Sequence, residues 1–197
     1  MYTGLALTTF LALTATATPL APNTINTTLS TRNEPETFLL EVWNNCHFVK
    51  EVALYQLTPA FKMLQKSNPT NIHPGQHLTI HAPFKEIGMR LSGHAEWGTD
   101  RQWRAQALFE FGHSTHADVD GTAYDLSVME GSDGDIGIGA YPSANGKGSQ
   151  YCESKTCFPW DCPHDQGWTN PDQVNLKSPA DTVCYHGKTD FKIVFCP

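Results

Sequence analysis

The chain closes on FKIVFCP, residues 191–197. Phe191, Ile193 and Phe195 alternate with Lys192, Val194 and Cys196, the period-two pattern of a strand with one face buried. A terminus is ordinarily the first part of a chain to fray. A cysteine in the second-to-last position therefore implies a covalent partner far back in the sequence.

Working outward, the same alternation recurs. TFLLEVWNNCHF (37–48) places Phe38, Leu40 and Val42 on one face and ends in an Asn44-Asn45 turn. KEVALYQL (50–57), HPGQHLTIHAPF (73–84), IGMRLSG (87–93), RAQALFEFGH (104–113), TAYDLSVMEG (122–131) and DIGIGAYPS (135–143) are further strands. In the sixth of these seven, Tyr124, Leu126 and Val128 share a face. Many short strands separated by turn signals define an all-β sandwich or barrel. No internal repeat and no strong helical period are present.

One segment departs from this pattern. Residues 149–184 hold four of the six cysteines together with Pro159, Pro163, Pro171 and Pro179, and their apolar periodicity is poor. Such a segment cannot be held by burial alone, so crosslinks must hold it.

The N-terminus sets the redox context. Residues 1–17 have an apolar centre and a small-x-small Ala15-Thr16-Ala17 end, and are read as a secretory signal peptide too short to span a bilayer. Residues 18–37 are a flexible leader carrying the sequon Asn26-Thr27-Thr28, a glycosylation acceptor. The domain proper is expected at 38–197. FKIVFCP has no hydrophobic tail, so no glycolipid anchor is expected. In a secreted chain the six cysteines, Cys46, Cys152, Cys157, Cys162, Cys184 and Cys196, make three disulfides. The competing reading is metal, but x4 spacings are not those of zinc knuckles. A formal charge of −7 argues against nucleic acid and anionic membrane as partners. No phosphate loop, dinucleotide fingerprint or nucleophile elbow occurs, and no cofactor is expected.

Several motifs, in collinear order, resemble thaumatin-like proteins. They are EVWNNC, ALFEF, YDLSVMEG, the Cys-rich segment and TVCYHGKTDFKIVFCP. The family has "VNNC", "LAEF", "YDIS…DG" and "RVTFCP" at the matching places. The likeness covers residues 38–197, with weak stretches at 58–72 and 93–103. The short chain, its few cysteines and IGIGAYPS followed by C-x4-C-x4-CP are most similar to the short fungal branch. That branch comprises the Blastomyces yeast-phase-specific protein family and related conidial-surface antigens.

The resemblance implies an all-β, thaumatin-like sandwich with a small disulfide-crosslinked loop lobe. It pairs Cys46 with Cys196 and Cys152 with Cys184, and leaves Cys157 to Cys162. It also implies an acidic cleft of one Arg, one Glu and three Asp. Glu110 and Asp125 match the Glu of "AEF" and the Asp of "YDIS", and Glu130 stands for the acid before the glycine. Such carboxylates can bind sugar hydroxyls or act as acid and base on a glycosidic bond; the bland alternative is two solvated strand faces. The cleft is incomplete in this register. Its Arg is one of Arg90, Arg101 and Arg104. Its last Asp falls on Leu176 or Lys177, with Asp172 and Asp181 nearby but offset.

The histidines point elsewhere. His77 and His81 share a strand face opposite Leu78 and Ile80 but stand too far apart to hold one metal, and His73, His113 and His116 add no metal motif. Asp133 and Asp135 lack the ligand series of a calcium loop. Trp97, Trp103, Trp160, Trp168, Phe158 and Tyr151 gather in two loop regions. Trp160 and Trp168 either stack on a sugar or partner, or fill the lobe's small core. The expected function is a secreted, non-catalytic surface or interaction protein. Its ligand would be β-1,3-glucan, another wall polysaccharide or a host component, with Glu110, Asp125, Glu130 and Trp160 as contacts. The alternatives are an effector or inhibitor acting on a host protein, and a weak β-1,3-glucanase using Glu110 and Asp125. A monomer is expected.

Overall fold

The computed structural model describes residues 36–60, 62–92, 107–129, 136–143, 151–177 and 179–197. The expected signal peptide (1–17), Asn26, Trp97, Trp103, Arg101, Arg104, Glu130, Asp133 and Asp135 lie outside them, as does the expected leader before residue 36.

Among the described residues, twelve strands follow in chain order. They are β1 Thr37–Asn44, β2 Lys50–Leu57, β3 Met63–Gln65, β4 Thr70–Ile72, β5 His77–Pro83 and β6 Met89–Ser92. After these come β7 Leu108–His116, β8 Val119–Ser127, β9 Ile138–Pro142, β10 Lys155–Cys157, β11 Thr182–Cys184 and β12 Phe191–Phe195. They form two sheets. One runs β10-β9-β12-β1-β5, and the other β11-β8-β7-β6-β2-β3 with β4 also paired to β2.

The terminal strand is central, lying between β1 and β9. Its pairing with β1 is parallel, from Leu40–Phe191 to Asn44–Phe195. This register brings the residues just past both strand ends together, and there Cys46 bonds Cys196. The last strand is thus held by two ladders and a disulfide. The other disulfides are Cys152–Cys184 and Cys157–Cys162, the same pairs the resemblance implies.

Alternation translates directly into burial. Phe38, Leu40 and Val42 from β1, Tyr124 and Leu126 from β8 and Phe191, Ile193 and Phe195 from β12 are all at 2% exposure or less. Phe109 stands among Phe111, Tyr124 and Phe191, with ring centroids 5.1–6.4 Å apart. Each such ring contributes about 1.5–3 kcal/mol by leaving water.

β2 is the exception. Val52 and Leu54 face the core, but Ala53 and Tyr55 are buried too, in a second cluster with Met63 on the other face. β3 and β4 fall in the stretch 58–72, where the alternation is unreadable because each strand has only three residues. β10 and β11 are equally short and escape a period-two reading for the same reason.

Candidate functional site

β6, β7 and β8 set a row of charged side chains across one face of the larger sheet. Arg90 is the register partner of Glu110, and Glu110 that of Asp125. Directly opposed residues of antiparallel strands point to the same face. Asp181 immediately precedes β11, whose Thr182 pairs with Tyr124. These four residues line a groove of 380 Å³. Among the three candidate arginines, Arg90 is the one the described residues place here. Asp181 is offset in the sequence match yet sits in the groove. Asp172 lies in a 3-10 helix, Pro171–Leu176, and Lys177 ends that helix in the left-handed region.

The row is electrostatically coupled. Arg90 forms an ion pair with Glu110, and both side chains are 20% exposed. Asp125 stands beside Glu110 across the strand pair, and its Oδ1 is buried with no hydrogen-bond partner. Burial first, then the charges of Glu110 and Asp181, raise the Asp125 pKa well above the usual carboxylate range; Arg90 opposes this. Asp181 Oδ1 accepts from the Trp168 indole Nε1 at 2.9 Å. Trp168 therefore buttresses the groove, and its backbone also pairs with β8 through Ser127.

Behind the row lies Lys155, only 1% exposed. Its Nζ donates to Asp165 O at 2.6 Å. Burial lowers its pKa, against the pull of Glu153, Asp165, Asp125 and Asp181. Tyr124 donates its hydroxyl to Glu153 O at 2.5 Å, and burial pushes its pKa up to about 12.

The groove has a second, apolar half. Leu57, Ile87, Gly88, Ala123 and Val183 line it, and Gly112 is buried against the backbone of residues 86–88. Gly88 has φ +69, and a Cβ there would meet Leu57 O at 2.5 Å. The close approach of the two backbones requires glycine. At the rim His113 Nε2 lies 2.7 Å from Asp120 Oδ1, and Lys85 Nζ donates to Asp120 Oδ2 at 2.5 Å. The hydrogen bonds from Lys85 and His113 hold the Asp120 carboxyl below its ordinary pKa.

The remaining sequence candidates lie apart from it. Trp160 is 65% exposed, beside Phe158 at 5.5 Å, and does not line the groove. It does not fill a lobe core. His77 stacks on Trp43 at 4.4 Å, and His116 packs on Tyr185. Among the described residues no group of three or more His, Cys, Asp or Glu is placed to hold a metal ion.

Glu110 and Asp125 are direct register partners on adjacent strands. Two carboxyls side by side offer several acceptors to a ligand's donors.

No family model matches the sequence, and no curated protein matches it. Solved structures do. The protein elicitor MoHrip2 from Magnaporthe oryzae aligns with TM-score 0.50 and 18% identity, over 81% of this chain and 99% of that one. The thaumatin-like xylanase inhibitor TLXI aligns with TM-score 0.45 and 16% identity, over 80% and 99%. At such identity the likeness is one of fold. The fold is an all-β, thaumatin-like sandwich carrying a disulfide-crosslinked loop lobe.

Proposed function

We propose that this chain is a secreted, non-catalytic interaction protein of the short fungal thaumatin-like branch. It binds a cell-wall glycan or a host component through the groove of Arg90, Glu110, Asp125 and Asp181. The observation that carries this reading is the cross-strand row of Arg90, Glu110 and Asp125, which lines one groove with Asp181 and supplies polar contacts for a ligand. Secretion is supported by six cysteines all engaged in disulfides. A second reading, an effector or inhibitor of a host protein, is favoured by Trp160, a large ring left 65% exposed.

The test uses the purified protein and insoluble β-1,3-glucan, with assays of bound protein in the pellet and released sugar in the supernatant. Bound protein without sugar is expected for a glycan ligand. Sugar release that disappears in Glu110→Gln would overturn the non-catalytic reading. Neither binding nor sugar removes this glycan and leaves a host component.

A further inference from the structure

The strands at the ends of the two sheets differ in length. β3, β4, β10 and β11 have three residues each, and a short edge offers little to another chain. β5, at the end of the smaller sheet, has seven, His77–Pro83. It carries no Lys, Arg, Asp or Glu, the charged side chains that ordinarily keep an edge from pairing.

The ladder shows which of its backbone groups face outward. Phe84 N–H donates to Glu36 O and Asn44 N–H to Gln76 O, and both bonds continue the β1–β5 register. Bonded and non-bonded sites alternate in an antiparallel pair. Leu78, Ile80 and Ala82 therefore bond β1, and the N–H and C=O groups of His77, Thr79 and His81 point away from it. Among the described residues nothing bonds these outward groups. Pro83, without an N–H, ends the outward row on one side. On the other, Gly75 lies in a turn at φ +75 and its N–H donates to Asn44 O. The row is centred on Thr79.

The sequence about that centre is close to a palindrome, His77-Leu78-Thr79-Ile80-His81. Leu78 and Ile80 pack on the core yet are only partly buried, and His77, Thr79 and His81 are exposed. An antiparallel copy with Thr79 against its own Thr79 sets Leu78 opposite Ile80 of the partner subunit, and His77 opposite His81 of the partner subunit. Each residue meets one of its own kind, as an isologous two-fold contact requires. The new ladder supplies about six backbone hydrogen bonds, and the seam covers the half-buried aliphatic side chains of both chains.

We propose that β5 is a dimerisation edge, pairing antiparallel about Thr79 with β5 of a second copy and joining the two five-stranded sheets into one. None of the groove residues lies on β5, so the contact is independent of the groove's ligand. One strand pair buries less than the ~1,600 Å² of a standard interface. The chain is a monomer in dilute solution, and the dimer forms as concentration rises.

The experiment follows the intact secreted protein at pH 7.5 by sedimentation and by NMR amide exchange, from about 10 μM to about 1 mM, the range of a small interface. The mass is expected to rise from one chain towards two. Over the same range exchange at His77, Thr79 and His81 should slow by about fivefold or more once most chains are paired, while Leu78 and Ile80 stay protected throughout. Thr79→Pro removes the central outward N–H, which the single chain does not use. It should remain monomeric at the highest concentration, with Leu40 and Val42 still protected as a sign that the sheet is intact. A wild-type chain that is monomeric throughout overturns the proposal. So does a dimer in which the three outward amides exchange as fast as in the monomer, or one that survives Thr79→Pro. Protection of those amides that is already complete at the lowest concentration, in a monomer, would mean that the chain covers its own edge, and overturns it as well.

Discussion

Phe109 and Gln173 are both at 0% exposure, in surroundings that have little in common. Phe109 lies among aromatic rings of both sheets. Gln173 sits in the cysteine-rich segment and bonds backbone. Its Oε1 accepts from the N–H groups of Thr169 at 2.5 Å and Asn170 at 3.1 Å, and from the Thr169 hydroxyl at 2.8 Å. Its Nε2 donates to Gly167 O at 3.1 Å. The sandwich satisfies its backbone by ladders, so its side chains are free to be apolar. The segment 151–184 has few ladders. Its backbone groups must find partners among side chains, and a buried amide takes the place of a buried ring. Two disulfides supply the rest.

This contrast can be broken at either end. The largest effect is expected from replacing both Cys46 and Cys196 with serine. Their separation of 150 residues makes the crosslink worth about 5 kcal/mol in the chain-entropy model. Urea unfolding should show one cooperative transition at a much lower midpoint. An unchanged midpoint would mean that the β1–β12 ladder alone holds the terminus.

A smaller and more local effect is expected from Gln173→Ala. Removing the amide strands several buried groups, at about 1–3 kcal/mol. Hydrogen exchange should speed up at Thr169 and Asn170 while β1 and β12 stay protected. Uniform loss across the sandwich would show that the two regions unfold as one.

The smallest effect concerns Asp125. Its folded pKa is raised, so its contribution to stability is fully present below the unfolded-state pKa and is lost as pH rises through the folded one. Asp125→Asn cannot ionise. It should exceed the parent at pH 7 by about 1 kcal/mol, the ordinary scale of a single-site change. The advantage should shrink as the pH falls towards 4. A constant difference in urea midpoint at both pH values would remove the titration from the account.

Much of the sandwich was legible because alternation is a local property. Each of β1, β7, β8 and β12 carries enough residues for one face to declare itself. The site was legible in part. Glu110 and Asp125 came from matched motifs, whereas Arg90 stood among three candidates and Asp181 appeared out of register. Glu130 lies outside the described residues. The burial of Lys155 and Gln173 was invisible, since both are polar residues that usually face water. Their positions follow from partners such as Asp165 and Gly167 that no periodicity announces.

By itself, then, the sequence determined the strand-rich character of the chain, the face each long strand buries and the crosslinked nature of the cysteine-rich segment. These follow from side-chain polarity at a period of two and from an even cysteine count clustered where apolar periodicity is poor. Only the tertiary structure decided which carboxyls meet. Cross-strand register joins residues such as Arg90, Glu110 and Asp125, and a loop end delivers Asp181 beside them. Proximity of that kind is set by ladders and long-range packing, and a shift of one residue in either strand would turn the row to the other face.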